Sequence, residues 1–231
     1  MNTKLGLIFM LISISDLSHA LYGARPVGKS FDYSAVVTLH MDDPSNSEFD
    51  FFCTGVLIAP DKVLTTGHCI EVMGNEVYEQ WSYFTYNPEH MKVKARGIKY
   101  EVADVILAPS YTEAAGFEGE DLALIRLKKP LKNIKPFKVA LKSLLKSGTP
   151  VTLVVRDKMA ESKITSQKSY AGNTVLFTDG SNSGVCSGDS GGALLVKVGK
   201  EEMLAGILSA QDAGCVKKTG VSIYARELKN D

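Results

Sequence analysis

Short runs of β-branched and alternating apolar residues, separated by turn-forming residues, recur along almost the whole chain. Such runs predict β-strands, because β-branched side chains suit a pleated, half-buried surface. Turn-forming residues fill the gaps, as at 43–46 and 179–182. Long helical periodicity is scarce, so we expect an all-β protein built as an antiparallel barrel or sandwich. The runs are 36–39, 51–58, 62–66, 102–107, 122–127, 151–155, 174–177, 193–198, 203–208 and 221–224.

A stretch rich in lysine and proline divides these runs into two groups of similar size. It covers residues 128–136 and contains Pro130 and Pro136. Each group has about the number of strands of a small closed barrel. We therefore predict an N-terminal β-barrel within residues 21–130 and a C-terminal β-barrel within 131–231. A short helix at 224–229 is expected to end the second barrel.

Composition excludes two classes of protein. Hydrophobic residues make up 45% of the 231 residues and charged residues 23%, unlike the composition of disordered chains. The 26 Lys and Arg residues balance 26 Asp and Glu residues, and no run of Lys or Arg exceeds a pair. Nucleic-acid binders carry a basic excess, so we expect no nucleic-acid partner.

The first twenty residues have the pattern of a secretory signal peptide. Lys4 precedes an apolar run at 5–14. The small residues Ser18 and Ala20 lie three positions before and immediately before the expected cut. A membrane anchor is the alternative, but the apolar run is about half of the roughly 20 residues that span a bilayer. We expect residues 1–20 to be removed. The mature protein would then be secreted, to the periplasm or the cell exterior, without a membrane partner.

The four cysteines Cys53, Cys69, Cys186 and Cys215 form an even set in a chain expected to enter an oxidising compartment. Two disulfides are therefore expected, and three pairings are open. A zinc site is the alternative, but no two cysteines have the C-x₂-C spacing and only His68 is adjacent to one. We expect neither a metal nor another cofactor.

The most specific motif of the chain is Gly188-Asp189-Ser190-Gly191-Gly192. A serine hydroxyl is a poor nucleophile unless a base takes its proton, and the attacked carbonyl needs N–H donors for its oxyanion. Glycines beside a serine permit unusual backbone angles and a close approach of substrate. A plain glycine-rich turn is the alternative. The motif thus indicates a nucleophilic serine.

Two further motifs supply a base and a carboxylate. His68 follows the strand run 62–66, and imidazole is the natural general base at neutral pH. Asp121 opens the apolar run 122–127, where a buried carboxylate would need a partner such as an imidazolium. The alternative for Asp121 alone is a turn residue before a strand, which is how most aspartates in that setting behave. A catalytic site is indicated by the joint occurrence of His, Asp and Ser, in that order, at separations of 53 and 69 residues.

These motifs together resemble the chymotrypsin/trypsin family of serine proteases, and the resemblance covers nearly the whole mature chain. The family motifs Ala-Ala-His-Cys, Asp-Ile-Ala-Leu-Leu and Gly-Asp-Ser-Gly-Gly are similar to residues 66–69, 121–125 and 188–192, with Gly67 in place of an alanine. The resemblance implies a chymotrypsin-like, all-β fold of two antiparallel six-stranded barrels. It also implies a serine endopeptidase that works through an acyl-enzyme.

The resemblance implies a role for each residue of the site. Ser190 would be the nucleophile, His68 the general base, and Asp121 the group that orients the imidazole. The backbone N–H groups of Gly188 and Ser190 would form the oxyanion hole. The disulfides that the family implies are Cys53–Cys69 and Cys186–Cys215.

The substrate-binding positions of the family align with five residues of this chain. Ser209 and Gln211 lie in the segment that would pair with the substrate backbone. Gly184, Val185 and Gly220 align with the primary specificity pocket. Because none of the three is acidic, a buried Arg or Lys side chain would be unpaired. We therefore expect cleavage of proteins or peptides after uncharged, apolar residues.

The start of the mature chain suggests how the protease would be activated. In the family, a new N-terminal ammonium inserts against the aspartate that precedes the nucleophile. Residues 21–24, Leu-Tyr-Gly-Ala, resemble the Ile-Val-Gly-Gly that carries this ammonium. Our hypothesis is that signal removal alone frees Leu21 to pair with Asp189. A loose N-terminus is the alternative.

Two other functions are alternatives to the protease. A catalytically weak, protease-like binding protein typically lacks a catalytic residue or the glycine of Gly-Asp-Ser, and no such loss is seen. An esterase would carry its acid and histidine after the serine, whereas His68 and Asp121 precede Ser190. We expect a monomeric, secreted endopeptidase, with a protein inhibitor as a further candidate partner.

Overall fold

The computed structural model describes residues 21, 23–41, 53–75, 81–85, 91–109, 111, 121–170, 173–180, 185–186, 188–209 and 221–223. Within these ranges the chain forms fifteen β-strands and short 3-10 helices at Gly67–Cys69 and Lys142–Leu144. No helix in the described part is long and apolar enough to cross a membrane. The strands are β1 (Arg25–Pro26), β2 (Val36–Met41), β3 (Cys53–Ala59), β4 (Lys62–Thr65), β5 (Glu71–Asn75), β6 (Trp81–Thr85), β7 (Met91–Ala95), β8 (Ile98–Leu107), β9 (Ala123–Leu127), β10 (Pro150–Val155), β11 (Lys158–Tyr170), β12 (Asn173–Thr178), β13 (Ala193–Val198), β14 (Glu201–Ser209) and β15 (Val221–Ile223).

Six strands close into an antiparallel barrel in the order β2-β3-β4-β9-β8-β7. Successive side chains of a strand point to opposite faces, so apolar residues at every second position can fill the interior. In β7, Met91, Val93 and Ala95 are buried while the two lysines between them are partly exposed. Leu57 and Leu64 from neighbouring strands belong to the same core.

The register of this barrel decides where two candidate site residues emerge. Thr65, at the end of β4, is paired with Ala123, at the start of β9. His68 follows Thr65 by three residues, and Asp121 precedes Ala123 by two. Both side chains therefore emerge at the same end of the barrel.

The second sheet has the order β1-β11-β10-β13-β14-β15-β12, and β11 also pairs with β12. The six strands β10 to β15 therefore form a closed ring. Strand β1 pairs with β11 and is not a member of this ring. Buried leucines from this ring, among them Leu153, Leu176 and Leu194, form a second core. The predicted all-β fold with two barrels is confirmed. The helix predicted at 224–229 lies outside the described residues.

The segment between the barrels is attached to both of them. Leu131 N donates to Pro60 O at 2.6 Å, and Ala140 N donates to Leu204 O at 2.8 Å. Strand β9 ends the first barrel along the chain at Leu127, and β10 begins the second sheet at Pro150, while β5 and β6 form a separate two-stranded sheet. The two predicted domain ranges, divided at residue 130, stay predictions, as does the signal peptide at 1–20.

Candidate active site

Asp121 and His68 form a hydrogen-bonded pair. Asp121 Oδ2 lies 2.8 Å from His68 Nδ1, and Asp121 Oδ1 accepts the backbone N–H of His68 at 2.9 Å. An ionised carboxylate can only accept, so Nδ1 carries the hydrogen and Nε2 is the basic nitrogen of the ring. The histidine side chain is 34% exposed, whereas that of Asp121 is 1% exposed. The pair thus presents a base towards solvent and keeps its carboxylate buried.

Ser209 completes the surroundings of this carboxylate. Its Oγ donates to Asp121 Oδ2 at 2.7 Å. Burial acts to raise the pKa of Asp121, but the hydrogen bonds and charge of His68, together with the Ser209 hydroxyl, outweigh it. The pKa of Asp121 therefore lies below its usual value. The carboxylate is therefore ionised at neutral pH.

Ser190 lies in a tight turn that requires its glycines. Gly191 has a φ of +84°, and a Cβ at this position would overlap the backbone carbonyl oxygen of Thr54. A Cβ on Gly192 would lie 2.6 Å from Val155 Cγ2. Only glycine therefore lets the turn pack directly against β3 and β10. The Gly-Asp-Ser-Gly-Gly motif follows from this close packing.

Two backbone N–H groups of the turn have no acceptor among the residues that the structure describes. The N–H groups of Asp189, Gly191 and Gly192 donate to carbonyls within the fold at 2.8 to 3.1 Å. Those of Gly188 and Ser190 donate to no described residue. Preorganised donors of this kind are what a developing oxyanion needs.

Contacts between the barrels bring the serine turn to the end of the first barrel where His68 lies. Thr54 N donates to Ser190 O at 2.8 Å, and Thr65 Oγ1 donates to Thr54 O at 2.7 Å. On the other side, Gly191 N donates to the carbonyl of the residue before Ser209 at 2.8 Å. The serine turn and the His68–Asp121 pair therefore both lie at the seam, which is where the two barrels meet.

The sequence motifs did not indicate Thr54 and Thr65, which position the serine turn. Both are fully buried, although they stand in otherwise apolar strands. A buried hydroxyl must find a hydrogen-bond partner, so a threonine inside an apolar run is the signal that marks them. Which partner each one finds depends on the pairing of the two barrels.

The backbone nitrogen of Leu21 contacts the aspartate beside Ser190. Leu21 N donates to Asp189 Oδ2 at 3.0 Å, and Cys186 N donates to the same oxygen at 2.7 Å. Leu21 and Asp189 are buried, and Asp189 Oδ1 has no hydrogen-bond partner in the described part of the chain. Burial raises the pKa of Asp189 to about 6, although the two N–H donors and the charge of Arg156 act to lower it.

The structure describes only some of the other predicted site residues. Val185 is half-buried and packs against the second core. The predicted disulfide between Cys53 and Cys69 is present, and Cys186 is also disulfide-bonded. The residues that lie outside the described ranges are Gly184, Gln211, Cys215 and Gly220.

Among the described residues, one group of potential metal ligands includes His68. Ligand atoms of Cys53, His68 and Cys69 are within 4.8 Å of one another. The two sulfurs are joined in a disulfide, however, and metal binding by cysteine requires the thiolate. In its oxidised form this group therefore offers a metal only the imidazole.

A closed six-stranded barrel beside a second all-β ring is the architecture of chymotrypsin-like serine proteases. A family model described as Trypsin matches residues 23–230. The chain therefore belongs to the trypsin family of serine proteases, which confirms the resemblance found in the sequence. Urokinase-type plasminogen activator from Gallus gallus is 27% identical over 222 residues, covering 76% of this chain and 48% of that protein. The chain thus spans about half the length of this curated relative.

Proposed function

We propose that the chain is a secreted serine endopeptidase that hydrolyses peptide bonds through an acyl-enzyme. The observation that carries this proposal is the buried Asp121 carboxylate, which accepts hydrogen bonds from His68 at 2.8 Å and from Ser209 at 2.7 Å beside the Ser190 turn. Its substrates are proteins or peptides, and it acts as a monomer.

In the proposed mechanism, Ser190 Oγ attacks the scissile carbonyl while His68 Nε2 takes its proton. The resulting imidazolium is stabilised by ionised Asp121. The N–H groups of Gly188 and Ser190 donate to the oxyanion of the tetrahedral intermediate. His68 then gives its proton to the leaving amine, and an acyl-enzyme remains on Ser190. Water, activated by the same base, hydrolyses this ester and restores the free hydroxyl.

Labelling with a fluorophosphonate tests the nucleophile directly. The reagent forms a covalent bond only with an activated serine, so the secreted protein is expected to be labelled at Ser190 and the Ser190→Ala variant to stay unlabelled. His68→Ala serves as a second control, because it keeps the hydroxyl and removes the base. Absence of labelling in a folded, processed sample would favour a binding protein that has kept the protease fold.

The proposed specificity is for uncharged, apolar residues before the cut. Supporting it, Val185 at the aligned pocket wall is apolar and half-buried, and the aligned residues Gly184 and Gly220 carry no charge. A cationic side chain in such a pocket would lose its hydration without gaining a partner. Cleavage of a mixed peptide library is expected to show an apolar preference. A dominant preference for Arg or Lys would refute the pocket alignment.

The proposed activation step is removal of residues 1–20. Before the cut, Leu21 N is a peptide N–H, and Leu21 has the strained φ of +47°. After the cut, this torsion no longer exists, and the nitrogen becomes an ammonium 3.0 Å from Asp189 Oδ2. Among the described residues, the other hydrogen bond to this oxygen comes from the uncharged N–H of Cys186. Cleavage thus relieves strain and adds an ion pair to Asp189. N-terminal sequencing of the active, secreted protein is expected to start at Leu21, and another start contradicts the proposal.

A further inference from the structure

Positive charge is concentrated on the segment that joins the two barrels. Residues 128–146 contain seven lysines and no aspartate or glutamate, although the whole chain has equal numbers of basic and acidic residues. All seven lysines are exposed. We call residues 128–146 the lysine band. None of its side chains takes part in the proposed catalysis.

The first part of the lysine band lies on the barrels with a three-residue period. Every third residue is buried, and the residue that follows it is exposed. Backbone N–H groups at three of the buried positions donate to carbonyls of the barrels at 2.6 to 3.0 Å, which holds the exposed side chains in a row. The buried residues are Leu131, Ile134, Phe137 and Ala140, and the exposed ones are Lys132, Lys135, Lys138 and Leu141.

Three of the seven lysines form an ion pair with a carboxylate of the described residues. Lys128 lies 3.2 Å from Glu101, and Lys135 and Lys138 share Glu201 at 3.3 and 3.0 Å. Exposed ion pairs of this kind are weak, and a shared carboxylate neutralises only one of two cations. The four lysines that form no ion pair with a described residue are Lys129, Lys132, Lys142 and Lys146. The band therefore keeps a net positive charge.

An apolar cavity of about 370 Å³ lies between the lysine band and the β7–β8 hairpin. This volume is in the range of binding pockets and is large enough for a bulky side chain. No carboxylate of the described residues lines the cavity, and Ile98 in its lining is 58% exposed. The lining residues that matter are the apolar Ile98, Tyr100, Leu131 and Ile134 and the cationic Arg96 and Lys132.

We propose that the cavity and the adjoining lysine band form a docking surface for an acidic polypeptide segment that carries a bulky apolar side chain. The apolar side chain enters the cavity, and carboxylates beside it meet Arg96, Lys132 and Lys129. Charge complementarity selects an anionic partner. The concave, apolar cavity favours a polypeptide over a polysaccharide, which has no apolar side chain, and over a lipid surface, which is flat.

The docking surface lies away from the candidate catalytic residues. Thr54 near the start of β3 contacts Ser190, whereas Leu57 and Pro60 near its other end accept hydrogen bonds from the lysine band. Thr54 and Pro60 are separated by roughly 20 Å of extended chain. A docked segment therefore leaves Ser190 open, so this surface would add affinity for a protein partner without blocking the cut.

Fluorescence anisotropy with a defined peptide tests this proposal. The probe is fluorescein-labelled Gly-Asp-Glu-Asp-Phe-Glu-Glu-Gly, added at low salt to the processed Ser190→Ala protein so that it cannot be cleaved. Lys129→Ala with Lys132→Ala is expected to raise the Kd about tenfold or more. Ile98→Ser, which changes no charge, is expected to raise it about fivefold. The matched control, Lys163→Ala with Lys168→Ala on β11, removes the same charge and is expected to change it by less than about twofold.

A second probe with serine in place of phenylalanine separates anchoring from charge, and it is expected to bind more weakly. The proposal is overturned if the peptide does not bind, if both lysine pairs have equal effects, or if loss of the phenylalanine or of Ile98 has none. Binding of phosphatidylserine vesicles or heparin in place of the peptide also overturns it. Thermal unfolding checks that each variant is folded. These results do not depend on whether Ser190 is a working nucleophile.

Discussion

Asp121 accepts two hydrogen bonds from His68 and one from Ser209 while it is almost completely buried. An amide in its place would keep the size of the side chain but could offer only one accepting oxygen. The imidazole would then be held in the wrong tautomer. Asp121→Asn is therefore expected to lower kcat by about 10⁴-fold with little loss of stability.

Steady-state hydrolysis of a peptide substrate measures this effect. Ser209→Ala is the matched control, because it removes one donor to the carboxylate and leaves the tautomer of His68 intact. It should lower kcat far less than Asp121→Asn does. Near-normal activity of Asp121→Asn would show that His68 does not act through this carboxylate.

Asp189 carries a prediction about pH that depends on the N-terminus. While the peptide before Leu21 is intact, burial raises the pKa of Asp189 to about 6 from its ordinary value of 3.8. The folded state then binds a proton more tightly than the unfolded state between these values. The free energy of unfolding is therefore expected to fall, by up to about 3 kcal/mol, as the pH rises from about 4 to 6.

Removal of residues 1–20 should reverse this contribution, because an ammonium at Leu21 stabilises the ionised carboxylate. Chemical denaturation between pH 4 and 7 compares the processed protein with a form that keeps a short extension before Leu21. Asp189→Asn in the extended form is expected to remove the part of the pH dependence of the unfolding free energy that Asp189 causes. Equal pH dependence of the extended and processed forms would contradict the ion pair.

At the scale of elements, the turn that carries Ser190 is confined by β3. A methyl group on Gly191 would overlap the Thr54 carbonyl. The backbone N–H of Thr54 also donates a hydrogen bond to the Ser190 carbonyl at 2.8 Å. Gly191→Ala is thus expected to destabilise the protein by several kcal/mol, at least about 3, and to abolish fluorophosphonate labelling. Gly199, in the β13–β14 turn, also has a positive φ, +63°, but open space around it.

Gly199→Ala is therefore the matched control, with an expected cost of about 1 kcal/mol and normal labelling. Urea denaturation and labelling rates measure both variants. If the two alanine variants behaved alike, backbone strain alone would explain them, and the packing of the turn on β3 would have no part in it.

All ten strand runs predicted from the sequence correspond to strands, because alternation and β-branched residues mark them clearly. The long strand β11, Lys158–Tyr170, was not predicted. Its buried apolar residues Met159, Ala160 and Ile164 are few, and most of its other residues are polar and exposed. It is held by pairing with β10, β12 and β1, and that pairing is not visible in a local pattern.

The residues of the candidate site are visible in sequence motifs, whereas the contacts that position them are not. His68, Asp121 and Ser190 stand in motifs that the chemistry itself demands. The hydrogen bond between Thr54 and Ser190 joins residues more than a hundred positions apart, so no local sequence pattern can indicate it. Gly67 has a similar explanation, since a Cβ there would lie 2.6 Å from the ring of Tyr111. The space for a side chain before His68 is thus already filled.

At the scale of the whole molecule, the candidate site is built from residues of both barrels. The first supplies His68 and Asp121, and the second supplies Ser190 and Ser209. The N-terminal segment also joins the second ring, because β1 pairs with β11 and places Leu21 near Asp189. Folding, processing and catalysis are therefore expected to be linked through the same seam.

Digestion of an unfolded protein substrate tests the proposed activity most directly. Purified, processed protein is incubated with a reduced and alkylated substrate, and the fragments are identified by mass spectrometry. Wild type is expected to produce fragments with consistent termini after apolar residues, and Ser190→Ala prepared in the same way is expected to produce none. Equal fragmentation by both proteins, or none by folded wild type that starts at Leu21, would contradict the account.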